Sequence, residues 1–179
     1  MTCIVALRQG NSVFIGGDAA SVGGLSRDVV TTLKVFEKDG LVLGSSGSWR
    51  DIQVLKYRCD FPKFFPGSDP DEYIFNVALD VIRPALREAG SVSVKDGIET
   101  VESNTIVNFQ GRIYVIYGNF AVLTAAVPYA AVGSGTDLAM GAFFATQDMP
   151  SAQDRVRIAL EASAAHNARC LWSVHDPEI

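Results

Sequence analysis

The first 46 residues constrain the fold most, because they hold four short β-prone runs separated by turn signals. Cys3–Arg8 is an apolar run, and Gln9-Gly10-Asn11 supplies residues that accept positive φ. Ser12–Ile15 is β-prone again, and Gly16-Gly17 lets the chain bend before Asp18. Ala19–Arg27 is small and polar with two more glycines and reads as a loop. Val29–Phe36 reads as a third strand, Lys38-Asp39-Gly40 as a second hairpin turn and Leu41–Gly44 as a fourth strand. Strands joined this closely pair antiparallel, since a parallel pair needs a crossover of roughly a dozen residues or more. The expectation is one antiparallel sheet from this segment.

The pattern then changes. Ser48 reads as an N-cap for a helix that ends near Cys59. Residues 61–70 hold three prolines and read as a loop. Asp69-Pro70-Asp71-Glu72 is a helix start with a cap, Pro at N1 and acids in the first turn. Tyr73, Val77 and Val81 carry that helix to about Glu88, with Gly90 as its stop and Pro84 as a kink point. Ser91–Ser103 is polar, without periodicity, and reads as a long connection. The second half repeats the order. Asn104–Phe109 and Arg112–Tyr117 flank a Gln110-Gly111 turn, and Ala121–Ala126 and Ala130–Val132 are further strands. One helix opens at Gly133-Ser134-Gly135-Thr136-Asp137, and a second runs from Pro150-Ser151 to about Asn167. Cys170–Val174 reads as a last strand. Strands, two helices, strands, two helices predict an α+β fold of two antiparallel sheets with helices outside, in one domain spanning 1–179.

Composition narrows the function classes. Lys plus Arg number 15 against 20 for Asp plus Glu, a net charge of −5, with no basic run. Such a chain is a poor binder of nucleic acid or of an anionic membrane. No apolar run approaches the roughly 18 residues of a transmembrane helix, and no signal-peptide pattern opens the chain. The three cysteines are far apart, which fits a reducing, cytoplasmic setting better than a disulfide framework. A mean hydropathy of +0.19 is high for an acidic chain and points to surface buried in an assembly.

The chemistry-bearing residues are few. Of the two histidines, His166 and His175, the second has Asp176 beside it, but no Gly-x-Ser-x-Gly elbow completes a serine triad. No Cys-x-x-Cys or His-x-x-x-His is present, so no metal and no cofactor are expected. Gly133-x-Gly135 can hold an anion on its amides or form a tight strand-to-helix turn; without the rest of a dinucleotide fingerprint the turn is preferred. The start of the chain is more informative. Thr2 is small enough for Met1 to be removed, which would leave a hydroxyl nucleophile and a free α-amine on one residue. An α-amine has a pKa of about 8, so near neutral pH it can take the hydroxyl proton. Lys34 lies in an apolar run, where a lysine needs an exposed face or a carboxylate. Asp18 is positioned to supply that carboxylate beside the first residue of strand one, and Gly47 to aim an amide at a developing oxyanion. Cys3 reads as a small apolar strand residue.

This set resembles the proteasome β-type, HslV-like family of N-terminal-nucleophile (Ntn) hydrolases. The resemblance is carried by Thr2-Cys3-Ile4-Val5, Gly16-Gly17-Asp18, Lys34 and Gly44-Ser45-Ser46-Gly47-Ser48, with Gly133-Ser134-Gly135 before a later helix. It implies a four-layer α/β/β/α sandwich and a threonine peptidase in which Thr2 is the nucleophile. It makes Asp18 and Lys34 the charged pair, Gly47 the oxyanion donor, and Ser134 a neighbour of the nucleophile's amine. Ser21, Gly47 and Ser48 would hold substrate. Where the family carries Asp-x-x-Ser near the last helix, this chain has Asn167-Ala168-Arg169-Cys170, and Ala19 replaces the usual glycine after the aspartate. Asn167 keeps an acceptor but brings no charge. Polypeptide substrates, a homo-oligomeric ring or double ring and an ATP-dependent unfoldase follow from the same resemblance. Two other readings stand beside it. A proteasome-like structural subunit that does not cleave would suit a retained Met1 and the Asn167 and Cys170 replacements. An amidase of the same fold acting on small molecules would suit an open or monomeric site.

Overall fold

The computed structural model describes residues 2–23, 26–167 and 170. Its first strand sets the layering. In β1 (Cys3–Gln9), Ile4 and Ala6 join a core between two sheets, while Cys3, Val5 and Leu7 face helices on the other side. A strand buried on both faces shows no polar alternation, which is why this run reads as continuously apolar. β1 is the centre of a three-stranded antiparallel sheet, flanked by β2 (Ser12–Gly17) and β12 (Tyr129–Gly133).

The second sheet has five strands in the order β11-β10-β9-β6-β5: Val122–Thr124, Arg112–Ile116, Thr105–Phe109, Leu41–Ser45 and Val35–Lys38. Here too the period-two alternation divides each strand between layers. Ile106, Ile113 and Val115 point to the shared core, and Val107, Phe109 and Tyr114 point outward. The outward set packs on α1 (Trp49–Tyr57) and α3 (Leu79–Glu88) through Ile52, Leu55, Ile82 and Leu86. On the opposite side, α4 (Thr136–Ala145) and α5 (Ala152–His166) cover the three-stranded sheet with Ala139, Phe143, Ala159 and Leu160. The result is the α/β/β/α sandwich.

Helix starts follow their capping signals. Ser48 Oγ accepts from Arg50 N at 3.2 Å, Asp69 Oδ1 from Asp71 N at 3.0 Å, and Ser151 Oγ from Asp154 N at 3.2 Å. The helix begun at Asp69 is composite. A short α2 (Pro70–Glu72) leads into a π-helical segment, Tyr73–Ala78, before α3, which contains Pro84.

Several sequence expectations are corrected. The four N-terminal strands do not share one sheet: β1 and β2 lie in the first, β5 and β6 in the second. The expected loop at Ala19–Arg27 instead contributes to an antiparallel pair, β3 (Ala20–Gly23) with β4 (Ser26–Val29). Neither strand has an apolar alternation to announce it, and strand propensity is largely a packing signal. The expected strand Val29–Phe36 is broken, because residues 30–34 carry the chain from that pair to the second sheet. Ser91–Ser103 holds a further hairpin, β7 (Ser93–Lys95) with β8 (Ile98–Thr100), turned by Asp96 (φ 53°) and Gly97 (φ 78°). Beyond Cys170, the expected last strand and His175-Asp176 lie outside the described residues. Among the described residues no helix is long and apolar enough to cross a membrane, and no group of three His, Cys, Asp or Glu could hold a metal ion.

Candidate active site

Thr2 lies just before β1 and is 2% exposed. Its position is fixed by the strands on either side. Asp18, just past the end of β2, donates its amide to Cys3 O at 3.1 Å, and its carboxylate Oδ1 accepts from Cys3 N at 2.8 Å. On the other side Cys3 pairs with Gly133. Gly133 has φ +100°, and a Cβ there would stand 2.1 Å from Thr2 O and 3.2 Å from Ser46 Cβ. Only glycine allows β12 to approach Thr2 so closely.

Lys34 reaches the same carboxylate, with Nζ 3.0 Å from Asp18 Oδ1, and both side chains are 2% exposed. Lys34 is not in a strand, contrary to expectation. Its carbonyl accepts from Ser45 N at 3.1 Å, which ties the connection to β6. Its ammonium also lies 5.4 Å from the centre of the Trp49 ring. Burial lowers the Lys34 pKa below its usual value, and the charge of Asp18 and their hydrogen bond act against that shift. The site therefore holds a desolvated cation beside the residue that bears the candidate hydroxyl.

Ser134 and Asn167 close the other flank. Ser134 Oγ is 3.4 Å from Thr2 O, as a donor, and 3.8 Å from Cys170 Sγ. Asn167 terminates α5, and its Nδ2 donates to Ser134 O at 2.6 Å. The residue expected to act as an acceptor thus serves here as a donor to the Ser134 backbone. Burial raises the Cys170 thiol pKa and pushes that of Cys3 up to about 12. Cys3 Sγ donates to Ser163 Oγ at 3.3 Å. A buried thiol of this kind is not a nucleophile near neutral pH, which agrees with its reading as a packing residue.

Gly47 is exposed, with φ +95°, in the turn between β6 and α1. The amides on either side of it are tied. Ser46 N donates to Asn104 O at 2.9 Å, and Ser48 N to Ser103 Oγ at 3.3 Å. Among the described residues the Gly47 amide between them has no protein acceptor. Ser48 Oγ is engaged as the α1 cap, and Ser21 Oγ accepts from Trp49 Nε1 at 3.0 Å. The structure thus brings Thr2, Asp18, Lys34, Ser134 and Asn167 into one linked group, with the strand leading to the Gly47 turn attached through Ser45, whose amide donates to Lys34 O. His166 is exposed at the end of α5. Trp49, Ser103 and Asn104 also belong to the site but carry no signal in the sequence. Their contacts to Ser21, Ser48 and Ser46 span 28, 55 and 58 residues, a separation at which no local motif operates.

Two antiparallel sheets lie face to face with helices on both outer sides, which is the architecture of the Ntn-hydrolase fold. Within it, the chain has the fold of HslV-like, proteasome-type proteins. It superimposes on BPH from Thiobacillus denitrificans with a TM-score of 0.82 at 19% identity, over 96% of this chain and 94% of that one. For HslV from Trypanosoma brucei the TM-score is 0.69 at 21% identity, over 94% and 93%. For Anbu, an ancestral β-subunit, from Yersinia bercovieri it is 0.62 at 18% identity, over 96% and 78%. BPH has also been solved in complex with epoxomicin. No protein-family model and no curated protein matches the sequence. The resemblance legible in the sequence therefore holds at the level of the fold.

Proposed function

We propose that this chain is a threonine endopeptidase of a proteasome-like ring, acting as one domain with Thr2 as nucleophile once Met1 is removed. The observation that carries the reading is the double use of Asp18 Oδ1, which accepts from Cys3 N at 2.8 Å and from Lys34 Nζ at 3.0 Å. One carboxylate oxygen thereby fixes both the backbone next to Thr2 and a buried ammonium beside it.

The chemistry follows from those placements. Thr2 Oγ1 attacks the carbonyl carbon of a peptide bond, and its proton passes to the freed Thr2 amine. The carbonyl π electrons move to oxygen, where the Gly47 N–H receives the developing charge. Collapse breaks the C–N bond, and the amine returns its proton to the leaving nitrogen. The acyl group remains on Thr2 as an ester, which water cleaves with the same amine as base. Lys34 favours the neutral amine and stabilises negative charge on the threonine oxygen. Ser134 holds the Thr2 backbone, and Asn167 holds the backbone of Ser134 in turn. Ser21 and Ser48 line the approach for an extended polypeptide. The same reading includes a homo-oligomeric ring or double ring in the cytoplasm, served by an ATP-dependent unfoldase.

The deciding test is the intact mass of the purified protein after exposure to a peptide epoxyketone, which requires both the hydroxyl and the free amine of an N-terminal threonine. The expected species lacks methionine and carries one probe per chain, and Thr2→Ala carries none while still assembling. A wild-type chain that keeps Met1 and remains unmodified would overturn the proposal. It would favour a non-cleaving structural subunit, a reading to which Asn167 and Cys170 lend support by replacing the family's Asp and Ser.

A further inference from the structure

Among the described residues, the mechanism leaves one buried acid unused. Asp51, in the first turn of α1, is 2% exposed. Its Oδ2 accepts from Ser103 Oγ at 2.5 Å, while Oδ1 is buried with no hydrogen-bond partner. A carboxylate buried away from the Asp18–Lys34 pair, with one oxygen unsatisfied, is costly to maintain. It lines a cavity of about 10 Å³ with Leu55, Ile82, Ser103, Thr105 and Phe120, near the smallest space that holds a single water. Phe120 adopts φ +63° there, a rare conformation for a bulky side chain.

What Asp51 holds is the turn that carries Gly47. Ser103 Oγ donates to Asp51 and so presents its lone pair to Ser48 N, 3.3 Å away. A Cβ on Gly47 would meet Glu102 O and Ser103 Cα at 2.8 Å, so the turn lies directly on residues 102–103. Ser46 is fastened in parallel by Asn104, through its amide at 2.9 Å and its hydroxyl at 3.0 Å. The two amides flanking Gly47 are thereby committed, and among the described residues the middle one has no protein acceptor. We infer that Asp51 and Ser103 are positioning residues for the Gly47 N–H, acting through Ser48 and never touching substrate.

The inference rests on the peptidase reading, and its test separates the two. Asp51→Asn and Ser103→Ala are compared with wild type by kcat and KM on a peptide substrate. Each is also compared by affinity for a peptide aldehyde and for the same peptide without the aldehyde. The aldehyde forms a hemiacetal with Thr2 whose oxyanion needs the Gly47 amide, whereas the plain peptide does not. We expect kcat and aldehyde affinity to fall together by about tenfold to a hundredfold, with KM and plain-peptide affinity unchanged. Variants that melt lower but keep wild-type kcat and aldehyde affinity would overturn the positioning role and leave the peptidase reading standing. A wild-type protein that, freed of Met1, neither cleaves nor binds the aldehyde would overturn both. If Asp51→Asn does not assemble, Ser103→Ala, which removes a single hydroxyl, carries the test.

Discussion

At the scale of single residues, Lys34 is where burial and function pull against each other. Its side chain is 2% exposed, and its pKa lies below 10.5 despite a carboxylate oxygen 3.0 Å away. Between the lowered value and 10.5 the unfolded chain binds a proton that the folded chain has released. Across that window Lys34 therefore makes the fold more stable as pH rises. Activity should run the other way, because losing the proton removes the ammonium. A kcat profile against pH should fall in that window while urea midpoints do not fall in step. A kcat that stays flat to pH 10.5 would remove Lys34 from the chemistry. Lys34→Ala should lower kcat far more than it changes KM, and destabilise by about 3–5 kcal/mol because it takes the cation from a buried carboxylate. The double variant Lys34→Met with Asp18→Asn should recover most of that stability and none of the activity. Recovery of activity would assign the pair to folding alone.

At the scale of elements, the close approach of β12 to the start of β1 shapes the site. Gly133→Ala places a Cβ 2.1 Å from Thr2 O at φ +100°, so both contact and conformation oppose it. The melting temperature should drop and peptide cleavage should be lost together, whereas Gly40→Ala, with nothing within 4 Å but φ +82°, should cost stability without activity. Equal activity loss from both would show that the β12 contact is not special. The same elements mark what a sequence can disclose. Strands with two buried faces, such as β1 and β9, announce themselves as apolar runs, and Ser48, Asp69 and Ser151 announce helix starts through local capping. Lys34 was legible because a lysine is odd in an apolar run, and Thr2 and Asp18 because their spacing from it carries the family resemblance. The division of four strands between two sheets was not, since sheet membership is decided by long-range packing. The Ser103 and Asn104 tethers were not legible either. A polar residue in an aperiodic stretch looks the same whether it faces water or clasps a turn 55 residues away.

At the scale of the whole molecule, the surface is left with large apolar side chains on several elements. Phe144 on α4 is 65% exposed, Phe75 in the π-helical segment 59%, and Phe65 in the preceding loop 68%. Single exposed hydrophobics are ordinary. Here they accompany a mean hydropathy of +0.19 in a chain of net charge −5, so exposed apolar area is not compensated by unusual polarity elsewhere. Burying one such phenylalanine contributes about 1.5–3 kcal/mol, and a symmetric assembly repeats that gain at every copy of the contact. The ring proposed for this chain should therefore form without a partner. Sedimentation velocity on the purified protein should give a closed species many times 19.2 kDa, largely insensitive to dilution. Phe144→Glu, Phe75→Glu and Phe65→Glu, made separately, should identify which face closes the ring by shifting that species toward monomer. The fold should survive, because none of the three side chains is buried in the sandwich. A wild-type monomer at every concentration would argue against the ring and favour an amidase of the same fold, whose open site takes small amides.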